Sequence, residues 1–255
     1  METVNSFEDV MSLEGLPFIK ALLKYEEERF DRDFLNDSVY ENMNADFGIF
    51  PSTKLYPLYF AGDIRRPEDK VIFIGINPAY NRVDNAKEQE YLEEKGSFDG
   101  YSELFTWRES IKKSSRYFSN IGGLLRRIGW LDDKITWPWL QEHFINMDLI
   151  PYHSSNTSGL CINDLTHYKQ RYFLPIVKIL DYLNPQRPIF ITGYPTFERY
   201  FADPIFADLI EVRKEDGIWV GTIAGKHRFF GLPFLNRPAG GKDKIAEAIK
   251  RQMVQ

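Results

Sequence analysis

The chain has 255 residues, 43% hydrophobic, 15% aromatic and 27% charged, with a formal net charge of −5. That length suffices for one sizeable α/β core and does not require a second domain. A single cysteine, Cys161, excludes an internal disulfide, the acidic N-terminus shows no apolar run of signal-peptide length, and no stretch approaches the ~20 apolar residues of a membrane span, so a soluble cytoplasmic protein is expected.

The net charge argues against a polyanionic partner, but the charge is unevenly spread. Residues 1–70 hold 8 Lys/Arg against 15 Asp/Glu, whereas 107–134 holds 7 basic against 3 acidic residues and 224–255 holds 7 against 2. Nucleic-acid binding depends on such local patches more than on the total. Solvated basic helix faces are common too, so charge alone decides nothing.

In chain order, residues 13–35 place Leu16, Ile19, Leu22, Leu23, Phe30 and Phe34 near helical spacing, and Pro17 suits a first turn. A leading scaffold helix with an acidic outer face is predicted. Residues 36–70 are loop-rich; Leu58-Tyr59-Phe60 reads as a short strand or an aromatic plug, and Asp63 after Gly62 as a surface turn more than a site. Val71-Ile72-Phe73-Ile74-Gly75-Ile76 reads as a strand buried on both faces, ended by Gly75 and Pro78 around Asn77. Open α/β sheets bind ligands at the C-terminal mouths of such strands, although a buried strand with an ordinary Asn-Pro turn is the plainer reading.

Residues 84–106 are polar, with breaks at Gly96 and Gly100, which suggests a partly helical insertion or lid. Ile121, Leu124, Leu125 and Ile128 form a helical stripe ending at Gly129, and Trp130, Trp137 and Trp139 are most simply core. His143–Ile150, closed by Pro151, is a second buried strand. Asn146 is unexpected within it, because a buried amide needs partners for its donors and acceptors. His167–Leu183 predicts a helix kinked at Pro175, Pro188–Thr192 a third strand ending at Gly193, and Pro195–Tyr200 the opening of another helix. Ile218–Ile223 and Arg228–Leu232 predict a hairpin, followed by a loop over Leu232–Lys242 and a last helix over 243–253. The recurring strand–loop–helix order predicts a mostly parallel sheet with helices on both faces, in a single domain.

With those loops in place, the sequence resembles the uracil-DNA glycosylase superfamily over residues 57–253, most nearly its mismatch-specific uracil/thymine and single-strand-selective branches. Gly75-Ile76-Asn77-Pro78 matches the first family motif, glycine-x-aspartate/asparagine-proline, in its asparagine form. Arg116-Tyr117-Phe118, leading to Leu124-Leu125 and Ile128-Gly129, is similar to the Arg-Phe-Trp helix of the mismatch-specific branch. Phe144-Ile145-Asn146 looks like the strand whose asparagine reads the base edge. The loop from Leu232 to Lys242 sits where the family carries His-Pro-Ser; Pro233, Pro238 and Lys242 agree with the single-strand-selective branch, but Leu232 and Phe234 stand at the His and Ser positions.

The resemblance implies a three-layer αβα fold around a central, mostly parallel, four-stranded sheet, with residues 1–56 as an acidic helical extension. It implies a monomeric, monofunctional DNA glycosylase with no cofactor and no metal, hydrolysing the N-glycosidic bond of a deaminated or 5-modified pyrimidine. Base-excision repair, or defence against modified foreign DNA, would be its setting. The Cys₄ cluster of some branches cannot be built from one cysteine. Such cleavage passes through an oxocarbenium-like sugar, so the enzyme must place a water and help the base depart as an anion. The base must also leave the stack and be read in a pocket.

On this reading Asn77 orients the water through its carbonyl oxygen, and Asn146 satisfies a carbonyl and a ring N–H of the base. Gly75, Ile76, Pro78, Ala79, Tyr80 and Phe118 complete the base pocket. Gly193, Leu235, Asn236, Arg237, Gly240, Gly241 and Lys242 contact DNA, with Arg237 or Leu235 as the wedge. The missing histidine leaves His153 or Asp148 to assist the departing base; Asp148 shares a strand face with Asn146. Ala79 replaces a tyrosine that blocks pyrimidine C5 in the uracil-restricted branch, so 5-substituents are expected to enter, with Phe98 and Tyr101 covering them. A non-catalytic DNA- or protein-binding module, and an unrelated small-molecule enzyme on a doubly wound sheet, are the competing readings.

Overall fold

The β-branched and aromatic run Val71–Gly75 forms strand β2, with all five residues buried. A strand buried on both faces needs helices above and below it, and the rest of the chain supplies them. A computed structural model describes residues 6–34, 47, 56–76, 78, 82–111, 115–153, 160–235 and 239–254, the side chains at 30–34, 82–85 and 239–240 excepted.

The N-terminal helices are α1 (Phe7–Ser12) and α2 (Gly15–Phe34), followed by the two-residue strand β1 (Phe60–Ala61). Helix α1, absent from the sequence reading, starts at a capping box in which the Ser6 and Asp9 side chains each accept from the other's backbone N–H. Tyr59, fully buried beside β1, is the aromatic plug as well. After β2, the segment read as an insertion folds into α3 (Arg82–Lys95), α4 (Ser97–Ser102) and α5 (Leu104–Ile111). Leu92, Tyr101, Leu104 and Phe105 are fully buried, so this segment is part of the core. The Tyr101 hydroxyl donates to the Tyr56 carbonyl at 2.6 Å, which makes it a packing residue and not a cover for a base substituent.

Helices α6 (Arg116–Arg127) and α7 (Trp137–His143) lead into β3 (Phe144–Asp148). The predicted kinked helix is α8 (Leu165–Tyr168), a π-turn over Lys169–Phe173, and α9 (Leu174–Leu183). Pro175 has no N–H to offer the carbonyl four residues back, and the helix widens into a π-turn ahead of it. Strand β4 (Ile189–Thr192) and helix α10 (Tyr194–Phe201) follow, then the meander β5 (Ile210–Glu215), β6 (Ile218–Ile223) and β7 (His227–Leu232). Helix α11 (Ala239–Val254) begins four residues before its predicted start, so Gly240, Gly241 and Lys242 belong to its first turn and not to a loop.

The sheet is mixed and has seven strands in the order β1-β3-β2-β4-β7-β6-β5. This corrects the expected count of four. Strands β3, β2, β4 and β7 are mutually parallel; β1 pairs antiparallel with β3 on one edge, and on the other β6 pairs antiparallel with both β7 and β5. Strand β5 escaped notice because its Glu-Val-Arg-Lys core lies exposed at the sheet edge and has no apolar run. Phe73 stacks on Phe190 at 4.6 Å and touches Phe144 at 5.5 Å, and Phe118 and Trp130 pack against Phe144 and Phe190 of this ring ladder. Tyr194 of α10 packs on Phe229 of β7, whose strand neighbour Phe230 touches Phe190 in the ladder. No helix among the described residues is long and apolar enough to cross a membrane.

Candidate functional site

The parallel strands bring Gly75, Asp148, Thr192 and Leu232 to their shared C-terminal edge. Gly75 and Asp148 are register partners. A Cβ on Gly75 would lie 2.4 Å from Asp148 Oδ1, so the first motif's glycine is there to admit a carboxylate, not to allow a turn. Beyond the strands, Leu149 N–H donates to Gly75 O at 3.0 Å and Ile150 N–H to Ile76 O at 2.8 Å, which holds the mouth of β2 against the segment after β3.

Phe144, Asn146 and Asp148 alternate onto one face of β3. Asn146 Nδ2 donates to Asp148 Oδ2 at 3.2 Å, and the Tyr117 hydroxyl donates to Asn146 Oδ1 at 3.0 Å. One N–H and one lone pair of the amide are left over. Asp148 is 4% exposed and Asn146 9%. Burial pushes the Asp148 carboxyl well above the usual carboxylate range, against the smaller opposing effects of the Arg108 charge and the Asn146 amide. Arg108, on α5, is itself held by the buried Glu88 of α3 at 2.8 Å. Burial, reinforced by Asp148, also raises the Tyr117 phenol. The site therefore holds an acid whose proton is retained beyond the usual carboxylate range, a phenol and an amide in one chain of hydrogen bonds.

The structure brings Gly75, Ile76, Asn146 and Asp148 together, and Pro78 is buried just beyond them. Asn77, Ala79, Tyr80, Asn236 and Arg237 lie outside the described residues. His153 is buried, at 4% exposure, five residues past β3. Phe118 does not line the strand ends. It packs edge-on against Phe105 and Phe144 and borders a separate cavity of about 230 Å³ with Glu109, Ser115 and Trp137. The aromatic that reaches Asn146 is its neighbour Tyr117, because adjacent helical positions point about 100° apart.

The closing segment needs a similar correction. Leu235 is buried at 5%, whereas Phe234 is exposed at 47%, so Phe234 and not Leu235 is the apolar side chain this segment presents to solvent. Its ring lies over Gly193 and near Ile76: a Cβ on Gly193 would meet Phe234 Cε1 at 2.8 Å and Ile76 Cδ1 at 2.9 Å. Gly193 also has φ +75°, a second reason for glycine there. Lys242 donates to Asn120 Oδ1 at 2.7 Å, tying α11 to α6. The exposed Cys161 stands apart from these groups, and no cluster of three His, Cys, Asp or Glu among the described residues could hold a metal ion.

Compared with known proteins, the chain matches no family and no curated sequence.

Proposed function

We propose that the chain is a monofunctional DNA glycosylase that hydrolyses the N-glycosidic bond of a deaminated or 5-modified pyrimidine. The observation that carries the reading is the hydrogen-bonded Asp148–Asn146–Tyr117 chain, beside the strand that leads into Gly75-Ile76-Asn77-Pro78. The mixed seven-stranded sheet with helices is compatible with this reading only at the level of a general α/β class. In the mechanism, Asn77 orients a water through its amide oxygen, since an amide cannot take up a proton. Asn146 reads the base edge. Asp148, whose burial favours the protonated acid, supplies the hydrogen bond to the departing base that the family takes from histidine; one such preorganised donor is commonly worth about 3 kcal/mol of barrier. Ala79 leaves the C5 side of the pocket open to substituents.

A second reading is a DNA- or protein-binding module without catalysis. Leu232, at the family's histidine position, is fully buried in β7 and offers no donor, which favours it. The deciding experiment presents duplex and single-stranded oligonucleotides bearing uracil, thymine mismatches and 5-modified pyrimidines, followed by alkaline cleavage at abasic sites. Base release by the wild type is expected, with Asn77→Ala slower by about 10²-fold and its DNA affinity within a few-fold. DNA binding without base release from any probe would favour the module.

A further inference from the structure

Tyr117 has no part in the chemistry just described, yet it makes the contact to Asn146 that a base would need. A pyrimidine such as uracil presents a ring N–H beside a carbonyl oxygen, and an amide matches that pair with its own oxygen and one N–H. Here the amide oxygen accepts from the Tyr117 phenol at 3.0 Å, and the amide nitrogen donates to Asp148 at 3.2 Å. One lone pair and one N–H of the amide are thus taken up from within the chain, the lone pair by the phenol.

Tyr117 is also held differently from its neighbours. Phe118 is 6% exposed, but Tyr117 is 37% exposed with only its hydroxyl turned inward. It sits in the first turn of α6, where Ser115 contributes no side-chain cap. Rotating this ring outward would break its hydrogen bond to Asn146 and part its ring from Phe118.

We infer that Tyr117 is the gate of the base pocket: in the free protein its phenol stands in for a pyrimidine N–H on Asn146, and it swings out when a flipped base enters. The inference rests on the reading of this edge as a base site. Bases that offer a ring N–H beside a carbonyl exchange like for like with the phenol, so the gate sets substrate choice as well as access. A closed gate lowers apparent affinity by the fraction of molecules that are open. Removing the hydroxyl raises that fraction by the worth of one neutral hydrogen bond, about three- to ten-fold in affinity.

The test compares wild type, Tyr117→Phe and Tyr117→Ala in binding single strands that carry one 2′-fluoro-2′-deoxyuridine or its 5-hydroxymethyl analogue, both resistant to cleavage. The same strand with a reduced abasic site is the control. Tighter binding of the base-bearing strands by both variants, about three- to ten-fold, with the control unchanged, is the expected result. Weaker binding by Tyr117→Phe would mean that the phenol braces Asn146 for the base, and would overturn the gate. Base-dependent binding equal in all three proteins would overturn the gate alone. No base dependence in any of them, together with no base release by the wild type, would overturn the gate and the glycosylase reading together.

Discussion

One missing side chain decides what Asp148 can do. Without a Cβ at Gly75, the carboxyl slides into the space beside β2, out of water and within reach of Asn146. The groups facing it are Asn146, Tyr117 and, at longer range, Arg108, and together they do not restore what burial takes away. The folded protein therefore keeps this proton above pH 3.8, where an ordinary aspartate loses it. Between the ordinary value and the raised one the folded state binds more protons than the unfolded state, so this residue's contribution to stability falls as pH rises. Asp148→Asn removes the titration while keeping an acceptor for the Asn146 amide. Its stability relative to wild type should grow with pH above about 4, by up to about 1.4 kcal/mol per unit, until the raised value is reached. Urea unfolding of both proteins across pH 4–9 measures this. Parallel curves would show that Asp148 ionises normally, and the proposed donor to the departing base would be lost with it.

Between elements, the N-terminal helix α2 is fastened to the rest of the fold by a buried charge. Glu26, 1% exposed, accepts from Arg171 Nη2 at 2.5 Å, from the Tyr59 hydroxyl at 3.2 Å and from Arg29 Nε at 3.4 Å, so it joins α2 to the π-turn and to the segment ahead of β1. Glu26→Gln keeps the shape but leaves Arg171 buried without its countercharge, and should cost about 3–5 kcal/mol in urea unfolding. A loss below about 1 kcal/mol would show that water reaches the pair. Nothing in the sequence pointed to this pairing, because the acid and the arginine lie 145 residues apart and each looks like a surface charge. The same limit explains what was and was not legible elsewhere. Strands β2, β3 and β4 could be read because burial on both faces demands an apolar run. Strand β5 could not, since an edge strand meets water and is written in charged residues. At the site, the residue types near Asn146 were legible but their direction was not: spacing alone cannot say that Tyr117 turns toward the strand ends while Phe118 turns into the core.

Across the whole molecule, the fold changes what the net charge of −5 means. The two basic stretches, 107–134 and 224–255, are far apart in sequence, yet α6 and α11 pack together. Lys242 reaches Asn120 at 2.7 Å, and Arg127 pairs with Asp243 at 2.5 Å. Arg126, Arg127, Lys242 and Lys244 thus belong to one helix pair, while the acidic excess belongs to the first 70 residues. A polyanion senses local potential over about a Debye length, ~10 Å at 0.1 M salt, so a negative total does not prevent binding at this helix pair. In sequence, Phe234 and Arg237 immediately precede α11. Each phosphate contact releases counterions and adds about 0.9 to the slope of log affinity against log salt. Reversing Arg237 and Lys242 together to Glu should lower DNA affinity at every salt concentration and flatten that slope by about two units. The loss should be the same for strands with and without the modified base, because phosphate contacts carry no base information. Fluorescence anisotropy from 50 to 200 mM salt provides both numbers. An unchanged slope would place the phosphates on another face, and a loss confined to base-bearing strands would assign these two residues to the base pocket instead.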